Sequence, residues 1–166
     1  MPDASTRFVR VLAPDSQQVK GYQMSATKDI QTEANRHYAS QFDSEMRDLV
    51  SLAMSDLEDE DGNCIDSMLF EGESIGRDQA IQRLEEMPLS FEKVITNHRR
   101  ETIEYEILLG TGGPADRVYV ITDFSGAIES AKYQFQDWFQ PWTTAEGQDS
   151  ELVERFAAIV GFYEEG

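Results

Sequence analysis

An α+β domain is the fold this chain predicts, with N-terminal helices packed on a three-stranded antiparallel meander and a C-terminal helix to close it. Three observations carry that reading. Apolar residues recur at near-constant steps of four from Ile30 to Leu57, the spacing of one face of a helix. Apolar and polar residues alternate in short runs between Ile103 and Asp137, separated by Gly, Pro and Ser, as half-buried strands do. A further helical pattern follows Ser150. Helices, then strands, then a helix put the helices on one sheet face. The 166 residues form one domain, since a chain of about 150 residues buries roughly 70% of its unfolded surface.

Residues 1–24 read as irregular or as an edge strand, with Phe8, Val9, Val11 and Leu12 ahead of Pro14. From Ser25 or Thr27 the pattern turns helical, through Ile30, Ala34, Tyr38, Phe42, Met46, Leu49, Ala53 and Leu57. A step of four overshoots one turn by about 40°. The stripe would therefore wind around a straight helix, which predicts a bend or break near Ser40–Ser44, where Asp43 or Ser44 could cap a second helix over 44–58. That helix buries Met46, Leu49, Val50, Ala53, Met54 and Leu57 and turns Glu45, Asp48, Ser55, Asp56 and Asp59 outward. Asp61-Gly62-Asn63 ends it. Residues 64–74 are a connector, and Gly76-Arg77-Asp78 opens a short helix through Glu86, stopped by Pro88. The strands are Ile103–Leu109, Arg117–Asp123 and Ile128–Asp137, the last with Ala131, Tyr133 and Phe135 on one face. The final helix takes Ser150 as its N-cap and runs to Tyr163, burying Leu152, Val153, Phe156, Ile159 and Val160.

The composition excludes more than it assigns. Thirty-two Asp and Glu face 14 Lys and Arg, a net charge of −18, which argues against direct binding to nucleic acid or anionic lipid. No apolar run approaches the roughly 20 residues that span a bilayer, and the N-terminus lacks the pattern of a secretory signal. Cys64 is the one cysteine. It makes no intramolecular disulfide, founds no zinc site with His37 and His98 alone, and fits a reducing cytoplasm as a small buried hydrophobe. The charge is also uneven. Residues 43–92 hold a net −12, with the densest point at 56–61, whereas residues 1–42 are net +1.

No chemistry-bearing motif survives inspection. Taking Gly62 as the sixth position of a calcium loop puts Leu57 first and Met68 twelfth, so the end ligands are missing. Gly110–Pro114 lacks the Lys-Ser/Thr of a phosphate loop and reads as a hairpin with residues at positive φ. Glu104 and Glu106 are spaced like a glycosidase pair, but strand alternation already makes them a solvent face. No nucleophile elbow is present, and His37 and His98 read as structural or exposed. The chain thus predicts no catalytic residue, metal or cofactor. Both tryptophans, Trp138 and Trp142, fall within the segment Gln136–Trp142. One reading folds them over the sheet end against the last helix; the other makes them a partner hot spot, for which Trp is enriched, or a surface for self-association.

Gly112-Gly113-Pro114-Ala115 after a hydrophobic strand, followed by Gln136-Asp137-Trp138 and Pro141-Trp142, resembles a group of small uncharacterised proteins of phages, plasmids and integrated elements. The resemblance spans about residues 105–143. It implies an accessory protein of a mobile element and carries no catalytic residue. Combined with the charge, it leads to an expected function: a non-catalytic binding protein whose acidic surface imitates nucleic acid and occupies the basic groove of a host nucleic-acid-binding enzyme. Glu45, Asp48, Asp56, Glu58, Asp59 and Asp61 would form that surface, with Trp138 and Trp142 as a second contact. The alternative is an accessory domain of a salt-adapted organism, in which low Lys and high Asp+Glu serve solubility alone. A net-positive N-terminal segment favours the directed surface over charge spread evenly.

Overall fold

From Ile30 to Ala53 the step-of-four stripe is helical without a break. The structure, a computed structural model, describes residues 29–161. A helix α1 (29–37) runs into a π-turn at Tyr38–Asp43 and on into α2 (Ser44–Met54). His37 and Asp43 both hold right-handed helical backbone angles, so neither acts as a side-chain cap. Where the sequence predicts a bend or break, near Ser40–Ser44, the helix instead continues through this wider turn. The reason lies in the spacing. From Ala34 to Met46 the stripe takes twelve residues, about one more than three α-helical turns of 3.6 hold. A π-turn bonds i to i+5 and absorbs the extra residue, so Ala34, Tyr38, Phe42 and Met46 all stay buried.

This account makes a test. Deleting the exposed Ser40 should convert the π-turn to regular helix and leave the buried stripe at steps of four, three and four. The expected melting temperature lies within a few degrees of the parent, whereas a deletion in an ordinary helix turns everything on one side by about 100°. Cooperative melting followed by circular dichroism decides it, and a chain unfolded by the deletion would refute the account.

Helix α2 stops at Met54, four residues before the predicted end. Ser55 takes a left-handed conformation, φ 61°. Its N–H bonds to the Leu52 carbonyl at 3.1 Å, and the Asp56 N–H bonds to the Ser51 carbonyl at 3.0 Å, the paired closure of a Schellman motif. Residues 56–66 are therefore loop. Cys64, expected in the core, is exposed there, bridged through backbone to Glu58. The segment read as a connector holds a hairpin, β1 (Ser67–Phe70) and β2 (Glu73–Gly76), before helix α3 (Arg77–Glu86). At the start of α3 the Gln79 side chain accepts the Gly76 N–H at 2.9 Å.

The three-stranded meander is corrected to five strands. β3 (Ser90–Asn97), β4 (Thr102–Gly110), β5 (Ala115–Asp123), β6 (Ile128–Gln136) and β7 (Thr143–Thr144) pair antiparallel in that order, and the hairpin β1–β2 makes a separate two-stranded sheet. Strand β3 is an edge strand with six consecutive exposed residues, so it has no buried face to give its sequence an alternation. Strand β7 is two residues long and too short to carry a period. In β4, β5 and β6, register aligns Ile107, Val118 and Tyr133, and aligns Tyr105, Val120 and Ala131. Those residues face the helices. Helix α4 (Ser150–Gly161) lies against β6 and β5 and also meets α2 and α3. Its N-cap is Asp149 rather than Ser150: the Asp149 carboxylate accepts the Leu152 N–H at 3.2 Å. That bond, with Arg47 beside it, holds the Asp149 carboxyl below its usual range. The readings of residues 1–24, of the helix start at Ser25 or Thr27 and of its end at Tyr163 lie outside the described residues.

Candidate functional site

The acidic residues singled out from sequence do not line one helix. Glu45 and Asp48 are on α2, and Asp56, Glu58, Asp59 and Asp61 lie in the loop after it; all six are exposed. Two of them have structural work. Asp56 pairs with Arg155 on α4. Asp59 organises the loop, its carboxylate accepting the N–H groups of Asp61 and Asn63 at 2.9 Å each. The bond from Asn63 is the first reason its carboxyl is held below the usual range. Among the described residues no ion pair engages Glu45, Asp48, Glu58 or Asp61, nor Glu71 and Asp78 farther along. Among the described residues no group of three His, Cys, Asp or Glu is placed to hold a metal.

The Gly112–Ala115 and Gln136–Trp142 segments meet at one end of the sheet. Trp138 is 62% exposed, and its indole lies over the backbone of Gly113: a Cβ added there would come within 2.0 Å of it. Only glycine permits that approach. The neighbouring Phe139 is 99% exposed at φ 59°. Trp142 is half-buried, with the Arg117 guanidinium stacked on its ring at 4.1 Å, a cation–π contact. Arg117 also pairs with Glu106 and donates to Gln134 at 2.9 Å. Beside it the Tyr119 hydroxyl donates to Glu104. Burial first and that carboxylate second push the Tyr119 hydroxyl up to about 12. The sheet face turned away from the helices is thus a bonded polar layer, in which Glu104 and Glu106 both have partners.

The helix-facing side holds a constellation the sequence did not reveal. The Tyr133 hydroxyl, on fully buried Tyr133 of β6, donates to Asp116 on β5 at 3.1 Å and lies 2.7 Å from Nδ1 of His37. The hydroxyl has one proton, so its bond to the Asp116 carboxylate assigns the proton of the second bond to Nδ1. In the neutral ring this leaves Nε2 as an acceptor. Burial pushes the Asp116 carboxyl up, opposed by the Tyr133 bond and the nearby His37, while burial and Asp116 together push the Tyr133 hydroxyl far up. Asp116 has no cationic partner among the described ion pairs. The chain opens onto a cleft of about 240 Å³ lined by His37, Gln41, Phe42, Glu45, Met46, Met87, Leu109 and Asp116. The π-turn forms one wall of it, as such turns often do at functional sites. Sequence reading missed these residues because they come from three elements, with His37 and Tyr133 96 positions apart. One signal was available: a Tyr on the buried face of a strand needs a partner for its hydroxyl.

No family model, curated protein or solved structure matches this chain. Among the described residues no helix is long and apolar enough to cross a membrane.

Proposed function

We propose that this chain is a non-catalytic acidic binding protein that occupies the basic nucleic-acid groove of a host protein in the cytoplasm, as an accessory factor of a mobile element. One observation carries the reading: Glu45, Asp48, Glu58, Asp61, Glu71 and Asp78, exposed between the start of α2 and the start of α3, enter no ion pair among the described residues, although Asp56 and Glu73 beside them do. Such a surface is costly in self-repulsion and gains when a basic groove covers it. Duplex DNA presents one charge per about 1.7 Å of axis, and its protein partners are built to exchange counterions for such density. The surface is an assembly of α2, the loop after it, the hairpin turn and α3, rather than one helix. The resemblance of the Gly112–Ala115 and Gln136–Trp142 segments adds the mobile-element context, and the contact of Trp138 on Gly113 makes them one structural unit.

The test is displacement. Host proteins retained on immobilised duplex DNA should be released by this protein, and less so as salt rises from about 0.1 to about 0.5 M, since the Debye length falls from about 10 Å towards 4 Å. Reversing Glu45, Asp48, Glu58 and Asp61 together to Lys should abolish release. Asp59 and Asp56 are left intact because they hold the loop and α4. Charge serving solubility alone predicts no release at any salt concentration, and release that ignores the four reversals would equally reject the proposal.

A further inference from the structure

We infer that the cleft between the π-turn and the β4–β5 end of the sheet is a binding site for a primary ammonium at the end of an aliphatic chain. The polar lining consists mainly of acceptors. Asp116 and Glu45 contribute carboxylates, and the neutral form of His37, with Nδ1 bonded to Tyr133, adds Nε2 as a further acceptor. Phe42, Met46, Met87 and Leu109 supply apolar walls. A site with negative charge, several acceptors and apolar sides favours a cation with more than one donor and a methylene stem. A primary ammonium has three donors and a compact charge. An anion would be repelled, and a neutral apolar ligand would strand the acceptors.

Three independent features make this a formed site. Asp116 is a half-buried carboxylate whose hydrogen bond to Tyr133 is in place but whose charge is not neutralised by any described salt bridge. Gly110 lets it sit there, since a Cβ at that position would lie 2.4 Å from the Asp116 Oδ1. A second hollow beside the cleft shares Glu45 and Met87 and adds Phe70, Glu71, Arg83 and Glu86. In that second hollow Glu45, Glu71 and Glu86 outnumber the one cation, Arg83, which pairs with Glu73, and this suits a second ammonium at the far end of a diamine.

The inference does not depend on a macromolecular partner, so its test uses small probes. Met methyl resonances are followed while the full chain is titrated with cadaverine, with an Nα-acetyl-lysine amide, or with tetramethylammonium at matched ionic strength. Cadaverine should shift Met46 and Met87 saturably with a dissociation constant of about 1 mM or below, and leave Met54 unmoved. Asp116→Asn and Glu45→Gln should each weaken it about tenfold, and tetramethylammonium, a cation without donors, should bind at least about tenfold more weakly. Asp116→Asn should melt no lower than the parent, because Asn still accepts the Tyr133 bond and the buried charge is gone. The lysine amide binding as tightly as cadaverine would assign the ammonium to a protein side chain. A clear preference for cadaverine would assign it to a free diamine. No saturable shift at Met46 and Met87 up to about 50 mM, equal binding of tetramethylammonium, or indifference to both substitutions would overturn the inference.

Discussion

Phe42→Ala should lower the stability of this protein by about 3–5 kcal/mol, the usual cost of emptying a core aromatic site. Phe42 is 1% exposed and lies at the centre of an aromatic cluster. Its ring centroid is 5.7 Å from that of Tyr38 and 5.2 Å from those of Tyr133 and Phe156. It therefore joins the π-turn, β6 and α4, and no neighbour on one element can collapse into the space it leaves. Against a total of roughly 5–15 kcal/mol that loss is a large fraction, and the melting temperature should fall by on the order of 10 °C. Phe124→Ala is the control. Phe124 is 49% exposed and rests edge-on against His98, so its removal should cost less than about 1 kcal/mol. Urea titration followed by circular dichroism measures both. Equal effects of the two substitutions would mean that the π-turn is not the packed junction described.

The same junction explains what the sequence could and could not tell. Strands β4, β5 and β6 were legible because one face of each is buried, and burial writes a period of two into the residues. Strand β3 was not, because Glu92–Thr96 are exposed on both faces, and Val94 and Ile95 there have no alternation to follow. Helix α3 was legible from its Gly76 start and the Pro88 beyond its end. The constant step of four is visible and does not fit one straight α-helix; it points to a bend or a break, but a wider turn absorbs it as well, and only packing selects among them. Tyr133 and Phe42 make that selection, since a break at Ser40–Ser44 would separate Tyr38 from Phe42. The acidic surface was legible as a run of carboxylates at 56–61, but Asp59 within it accepts three backbone and side-chain donors from Asp61 and Asn63. A run of like residues does not say which one the loop needs. The cleft was illegible because it exists only when β4, β5 and the π-turn come together.

Arg117→Met should cost about 2 kcal/mol, a figure below the 3–5 kcal/mol of a fully buried broken pair because the site is partly open. The Arg117 and Glu106 side chains are 14% and 23% exposed, so neither partner is freely solvated once the other is removed. Methionine keeps the aliphatic stem against Trp142 and Tyr119 and takes away only the charge and donors. Four contacts are then lost together: the pair with Glu106, the bond to Gln134 and the cation–π contacts on Trp142 and Tyr119. The mechanism separates from simple loss of packing by a second substitution. Glu106→Gln in the Arg117→Met background removes the stranded carboxylate and should recover part of the loss, giving a coupling energy on the order of 1 kcal/mol. Raising the salt concentration should change that coupling little, because half-buried pairs are screened far less than surface ones. Trp142 emission should move to longer wavelength in Arg117→Met as water reaches the ring, read in a Trp138→Phe background. If Arg117→Met is as stable as the parent and the coupling is zero, the outer sheet face is an ordinary solvated surface. A measured coupling would instead make that face a rigid platform on which the Trp138–Phe139 corner is held out to solvent.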